Sequence, residues 1–294
     1  MIASREKLGL SLGFIGMCMF AGTLPATRLA LTGVDPLFLT FARLTLAGCA
    51  GVIVLLLTRR SLPPRRLWLE MCATAFCTAL AYPLLAALAM MTVPAGHGGV
   101  VLGILPLATA AAAAVLAHER PSRTFWLASA AGTALVLVFM LRRSGGEAIT
   151  SGDLYLLGTV VAGALGYTLS GRLTRQMPGW EVISWQVVAL LLLAAAATFA
   201  LWPADIAGVP MLAWAGLGYV GLVSQYTAFF MFNAAMAMGG IGRVVQIMLL
   251  QPFVTIVLAL PVNGEPIDLE TILFAAAVVA TVLIAQHTHL VRRS

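Results

Sequence analysis

PLATAAAAAVLAHE at 106–119 and PFVTIVLALPVNGE at 252–265 decide how this chain is organised. In each stretch a proline and a glutamate stand 13 residues apart, with apolar residues between them. The copies lie 146 positions apart, about half of the 294-residue chain. Self-similarity at a fixed offset is the mark of an internal duplication. Extending the offset pairs Ala89-Met90 with Ala235-Met236 and Gly96-His97 with Gly242-Arg243, and brings Pro121 within one position of Pro266. With a small slip, Phe41-Ala42-Arg43 lies against Ser184-Trp185-Gln186, and Arg28-Leu29 against Arg172-Leu173. The chain therefore divides into halves 1–146 and 147–294.

Around these stretches the composition is that of a membrane protein. Hydrophobic residues make up 61% of the chain and charged residues 10%, which would aggregate in water. Spans of roughly 20 apolar residues are placed at 8–29, 36–58, 67–92, 97–117, 124–141, 153–174, 180–202, 209–236, 243–261 and 269–290. Glycine, proline and charge punctuate the breaks, as in Gly33-Val34-Asp35-Pro36 and Asn263-Gly264-Glu265-Pro266. The first span is longer than a signal-peptide core and is read as a retained helix. The expected fold is an all-α membrane protein of ten transmembrane helices.

With both termini in the cytoplasm, the inside segments collect Arg5, Lys7, Arg59, Arg60, Arg65, Arg66, Arg120, Arg123, Arg172, Arg175, Arg243, Arg292 and Arg293, and only Arg28, Arg142 and Arg143 fall outside. That bias is the positive-inside pattern of a plasma (inner) membrane protein. It makes the net charge of +6 a report on topology, so no nucleic-acid partner is expected. Five spans per half is an odd number, so the second copy enters the bilayer from the opposite side: two inverted five-helix repeats. The four cysteines all lie inside apolar runs, where packing is the expected role.

The residues resemble the drug/metabolite transporter superfamily, in its EamA-like ten-helix branch. The resemblance is carried by the stretch from Phe20 to Leu31, by Asp35-Pro36 with Phe41-Ala42-Arg43, and by Glu119-Arg120-Pro121 and Gly264-Glu265-Pro266. Ala21 stands where the family often has tryptophan. Within the branch the chain looks most like bacterial exporters of aromatic and other neutral amino acids. The resemblance implies a central cavity lined by spans 1, 3, 4, 6, 8 and 9, with spans 5 and 10 peripheral, and alternating access between the halves. It names a small-molecule substrate and the lipid bilayer as partners, with no cofactor and no metal. The oligomeric state stays open.

Polar side chains at mid-span depth are the candidate substrate contacts, because such groups need partners in lipid. They are Thr23, Tyr82, Tyr167, Tyr226, Asn233, Gln246 and Gln251, with Ser170 and Gln225 in the same depth range. Each can instead be an interhelical hydrogen-bonding residue. Rings and amides together suit a neutral zwitterion or a small planar compound. Arg43, about two turns into its span, either meets a substrate carboxylate or snorkels to the interface. Candidate gating residues are Pro25, Gly96, His97, Pro106, Gly240 and Pro252, which either hinge or pack their helices. His97 is read either as a titrating gate or as a solvated loop residue.

Every Asp and Glu falls at a span end or in a loop, so the chain lacks the mid-membrane carboxylate of proton relays and cationic-drug sites. Lys7 is the one lysine, which leaves no phosphate-binding lysine in the spans. No Gly-x-Ser-x-Gly, His-Glu-x-x-His or Gly-x-x-x-x-Gly-Lys-Ser/Thr pattern supports the rival class, a membrane-embedded enzyme. A channel remains open, and saturable exchange separates it from a carrier.

Overall fold

In the computed structural model, residues 2–116, 123–143, 150–239 and 247–290 are described, and among them no strand occurs. Ten helical segments follow one another. They are α1 (Ile2–Ala21 and Thr23–Ala30), α2 (Pro36–Leu57), α3 (Trp68–Ala75, a π segment Phe76–Ala81, then Tyr82–Met90), α4 (Ala95–Leu102 and Leu105–Leu116) and α5 (Arg123–Arg143). The second half continues with α6 (Ser151–Leu173), α7 (Gly179–Ala189 and Leu191–Ala200), α8 (Met211–Gly218, a π segment Tyr219–Thr227, then Ala228–Gly239), α9 (Gln251–Asn263) and α10 (Leu269–Leu290). The first four and α6 are long and apolar enough to cross a membrane as single helices; α7 joins them as a pair bent by 45°. The apolar stretches of α5, α9 and α10 are shorter, at Trp126–Phe139, Gln251–Asn263 and Leu269–Ile284.

The prolines that open the repeated stretches mark equivalent breaks. Pro106 is the second residue of the α4 piece that starts at Leu105, and Pro252 the second of α9, just after a tight turn at Met248–Leu250. A proline there sacrifices an N–H that has no intrahelical partner anyway. The π segments of α3 and α8 also fall at matching positions. Packing follows the same two-fold logic. α2 packs on α7, α4 on α9 and α5 on α10, each on its own counterpart, while α1 on α8 is mirrored by α6 on α3. The fold is two inverted five-helix repeats.

Small residues let these helices approach. At the α4–α9 crossing a Cβ on Gly99 would lie 3.0 Å from Thr255 Cγ2, and one on Gly103 3.3 Å from Pro252 Cγ. At the α2–α7 crossing a Cβ on Gly51 would lie 3.1 Å from the Ser184 carbonyl oxygen. In lipid, such close backbone packing replaces the hydrophobic drive between helices. The outer surface shows the solvent it is built for: Leu69 is 83% exposed, Leu192 86% and Phe199 80%, whereas Thr40, Thr74 and Ser184 are fully buried. Threonine hydroxyls are satisfied within their own helices, as in Thr40 to the Pro36 carbonyl at 2.8 Å and Thr159 to the Tyr155 carbonyl at 2.8 Å.

The two ends of the bundle differ. One end gathers Arg59, Arg60, Arg65, Arg66, Arg172 and Arg175, with Arg172 Nε 2.9 Å from Glu70 and Arg60 stacked over Trp180. The other carries Arg28, Glu265, Arg142 and Glu270, the last two paired.

Candidate functional site

Arg43 lies about 10 Å along α2 from its start and is only 3% exposed. It does not snorkel: its Nη2 donates to Gln225 Oε1 at 2.9 Å, and Gln225 is itself 2% exposed. Local sequence explains the meeting. Gly221 lets α8 approach α2, since a Cβ there would lie 3.2 Å from the Arg43 carbonyl oxygen and 3.0 Å from Leu46. Gln225 follows one turn later, inside the π segment, where the extra residue per turn re-aims side chains. Arg43 brings α2 into a site that the family resemblance had assigned to other spans.

Tyr82 and Tyr167 complete the centre. Both fall within the electrostatic reach of Arg43. Tyr82 stands immediately after the α3 π segment, its ring over Gly163 of α6, where a Cβ would lie 3.0 Å from Cδ2. Tyr167 is one turn further along α6, and its ring centroid is 6.1 Å from that of Phe229 on α8. Phe229 meets Phe20 of α1 edge-to-face at 4.8 Å, and Phe20 contacts Phe232 at 6.0 Å. Both tyrosines are partly buried among these helices.

The other predicted contacts go elsewhere. Thr23 shares a 2.6 Å hydrogen bond with Ser224, and the Tyr226 hydroxyl one of 2.9 Å with Ser184 on α7. Both are therefore helix-to-helix ties. Gln251 is partly buried at the first position of α9. Gln246 and Gly240 lie outside the described residues, as does the side chain of Asn233.

The gating candidates gather at the Glu265 end and at the helix breaks. Pro25 has no N–H for the Ala21 carbonyl, which accepts from Thr255 Oγ1 at 3.0 Å instead, and its own carbonyl accepts from Asn263 Nδ2 at 3.2 Å. Gly264, at φ 69°, ends α9 in the left-handed conformation that glycine accepts most readily. The turn aims Glu265 back at the start of α4, where its carboxylate accepts from the N–H groups of Ala95 at 2.8 Å and Gly96 at 2.9 Å. Negative charge is favoured at a helix N-terminus. Arg28 Nη1 sits 3.4 Å from the same carboxylate and donates to the Val93 carbonyl at 2.8 Å.

His97 is not a solvated loop residue. It lies in the first turn of α4, 3% exposed, with Nε2 2.8 Å from Asp153 Oδ1 and its ring against Phe139. Asp153 Oδ2 in turn accepts from the Thr150 N–H and hydroxyl, closing a capping box on α6. This pair joins the first half to the second. Glu265 was legible as part of a repeated motif. The partners of Arg43 and His97 were not, because nothing in the sequence links positions so far apart. A shallow groove lined by Val138, Leu141, Arg142 and Glu270 lies on the peripheral α5–α10 pair and holds none of these residues.

The sequence profile of the EamA-like transporter family matches the chain twice, over residues 7–141 and 150–285. The chain is similar to the uncharacterized transporter YdeK of Bacillus subtilis (strain 168), with 38% identity over 274 residues, 93% of this chain and 95% of that protein. A solved structure described only as "Crystal structure of protein" shares the fold, with a TM-score of 0.65 and 19% identity over 94% of this chain and 97% of its own. A duplicated profile spanning both halves, together with a full-length transporter relative, settles the affiliation: this multi-pass membrane protein belongs to the EamA-like transporter family.

Proposed function

We propose that the protein is a carrier that exports aromatic and other neutral amino acids across the inner (plasma) membrane by alternating access. The observation that carries this reading is the grouping of two partly buried tyrosines, Tyr82 and Tyr167, with Arg43, Gln225, Phe229 and Phe20 where α1, α2, α3, α6 and α8 converge. Rings offer an apolar face to a side chain, and the polar groups orient the remainder. In inverted-repeat transporters the site lies near the midplane between the repeats, which rock about it. The rocking units are the halves 1–146 and 147–294. The ties at Glu265, His97–Asp153 and Thr255 cross between them and separate as the Glu265 end opens.

The arginine-rich end faces the cytoplasm in this reading, as the positive-inside rule requires, so both termini are cytoplasmic. The carboxylates of the described residues stand at helix ends or in loops, and transport runs as facilitated diffusion down the substrate gradient. The test is uptake of labelled L-phenylalanine and L-leucine into proteoliposomes, with a pH-sensitive dye inside. Saturable uptake that is trans-stimulated, competed by aromatic amino acids and leaves a pH gradient intact is expected. Uptake linear in concentration indicates a channel, collapse of the pH gradient overturns the uncoupled mechanism, and flux of other solutes in place of amino acids overturns the substrate assignment.

A further inference from the structure

Within the central cluster one bond fixes more than its own geometry. Arginine only donates, so Gln225 must turn its Oε1 to Arg43 Nη2 and present its NH2 group elsewhere. Neither that nitrogen nor Arg43 Nε has a hydrogen-bond partner among the described residues, and both side chains are at least nine-tenths buried. Two adjacent side chains thus each hold a donor without a partner. Arg43 also forms no ion pair with a carboxylate among the described residues, unlike Arg28, Arg60, Arg142 and Arg172. A guanidinium buried among helices in a membrane is costly without a counter-charge.

We propose that Arg43 and Gln225 form a carboxylate subsite, in which the transported compound supplies the anion that the protein withholds. This deepens the carrier reading and rests on it for the identity of the cavity. One carboxylate oxygen takes the Arg43 Nε–H and the other the Gln225 amide, a planar acceptor meeting planar donors. The neighbouring rings of Tyr82, Tyr167 and Phe229 then receive an apolar substituent. The ligand class is a monocarboxylate or zwitterion with an apolar side group, and a compound lacking the carboxylate leaves the guanidinium unpaired.

The experiment compares matched ligands by thermal stabilisation of the purified full-length protein: 3-phenylpropionate against 3-phenylpropanol, and L-phenylalanine against L-phenylalaninamide. Each acid is expected to bind at least about tenfold more tightly than its uncharged or amide partner, the loss that follows from one unmade charged contact. Arg43→Gln removes the preference. Because that variant also disturbs a buried contact, Gln225→Glu is the second probe: it gives Arg43 a built-in counter-ion, and is expected to weaken acid binding at least about tenfold while the unliganded protein unfolds at the same or a higher temperature. Equal binding of acid and alcohol, or unchanged acid binding by Gln225→Glu, overturns the subsite. Acid preference without proteoliposome flux keeps the subsite and sinks the carrier. Saturable flux without acid preference does the reverse.

Discussion

Replacing Thr255 by valine removes the hydroxyl that meets the Ala21 carbonyl at 3.0 Å, and the consequence depends on Pro25. In a continuous helix the Ala21 carbonyl accepts from the N–H of residue 25, but proline has none. The next bond, from Ala26 N to Gly22 O at 3.0 Å, is intact, so the backbone at residue 25 is already close to helical register. Thr255→Val therefore leaves a buried acceptor without its donor. Orphaned groups cost about 1–3 kcal/mol, and interhelical hydrogen bonds in membrane proteins average about 0.6 and reach about 1.7 kcal/mol. The expected loss is about 1–1.7 kcal/mol, the overlap of those ranges.

Pro25→Ala restores the donor. In that background Thr255→Val is expected to cost less than about 0.5 kcal/mol, giving a coupling of about 1 kcal/mol in a double-mutant cycle. Reversible unfolding of the four proteins in detergent micelles measures it. Equal losses in both backgrounds would refute the idea that Thr255 substitutes for the missing proline N–H.

Glu265→Ala exposes the N–H groups of Ala95 and Gly96; a stability loss of about 2–3 kcal/mol and faster amide exchange at both positions are expected, and unchanged exchange would count against the cap. Gly216→Val puts a Cβ 2.7 Å from the Ala26 carbonyl oxygen and 2.9 Å from Ala30 N, backbone atoms that cannot step aside; thermal unfolding should register a loss of about 1–3 kcal/mol. Gly171→Ala meets nothing within 4 Å on the same α6 helix that carries Tyr167, and the same assay should show a gain of about 0.5–1 kcal/mol from helix propensity. Tyr167→Ala should raise the half-saturating concentration for L-phenylalanine by about 3- to 10-fold through loss of a ring contact, whereas Tyr167→Phe should change it little. Equal effects of the two would remove the ring from the site.

The architecture was readable because its determinants are local or set by the bilayer. Pro106 and Pro252 mark the duplication by their shared spacing to Glu119 and Glu265, the apolar run lengths follow from membrane thickness, and the arginines sort by end. The grouping of the candidate residues was half readable. Tyr82, Tyr167 and Arg43 stand out as polar groups in apolar runs, and the structure brings them together. What they touch was hidden. Gln225 lies 182 positions from Arg43 and is aimed by a π segment, which needs no distinctive residue type to form. Asp153 counted as a span-end acid, yet it is 1% exposed and holds His97, because the first turn of α6 is covered by α4. Thr23 and Tyr226 met the same criterion as Tyr82 but point to Ser224 and Ser184; depth along a helix does not tell which side a residue faces.

Three backbone tethers of α1 share a direction. Its Met19 carbonyl accepts from the Tyr219 hydroxyl at 2.9 Å, its Ala21 carbonyl from Thr255 and its Pro25 carbonyl from Asn263. All three donors lie in the second half of the chain, and all three acceptors are backbone carbonyls within seven residues of one helix that Gly22 and Pro25 have interrupted. Gly22 itself is required by the Tyr219 hydroxyl, which occupies the space a Cβ would fill. Hydrocarbon offers no replacement for such bonds. A rocking motion that parts α1 from α8 and α9 therefore needs either new protein partners for these carbonyls or water in the gap. In the proposed carrier, the break in α1 then couples the relative position of the halves to the wetting of the space beside Phe20 and Phe229, where that reading places the substrate.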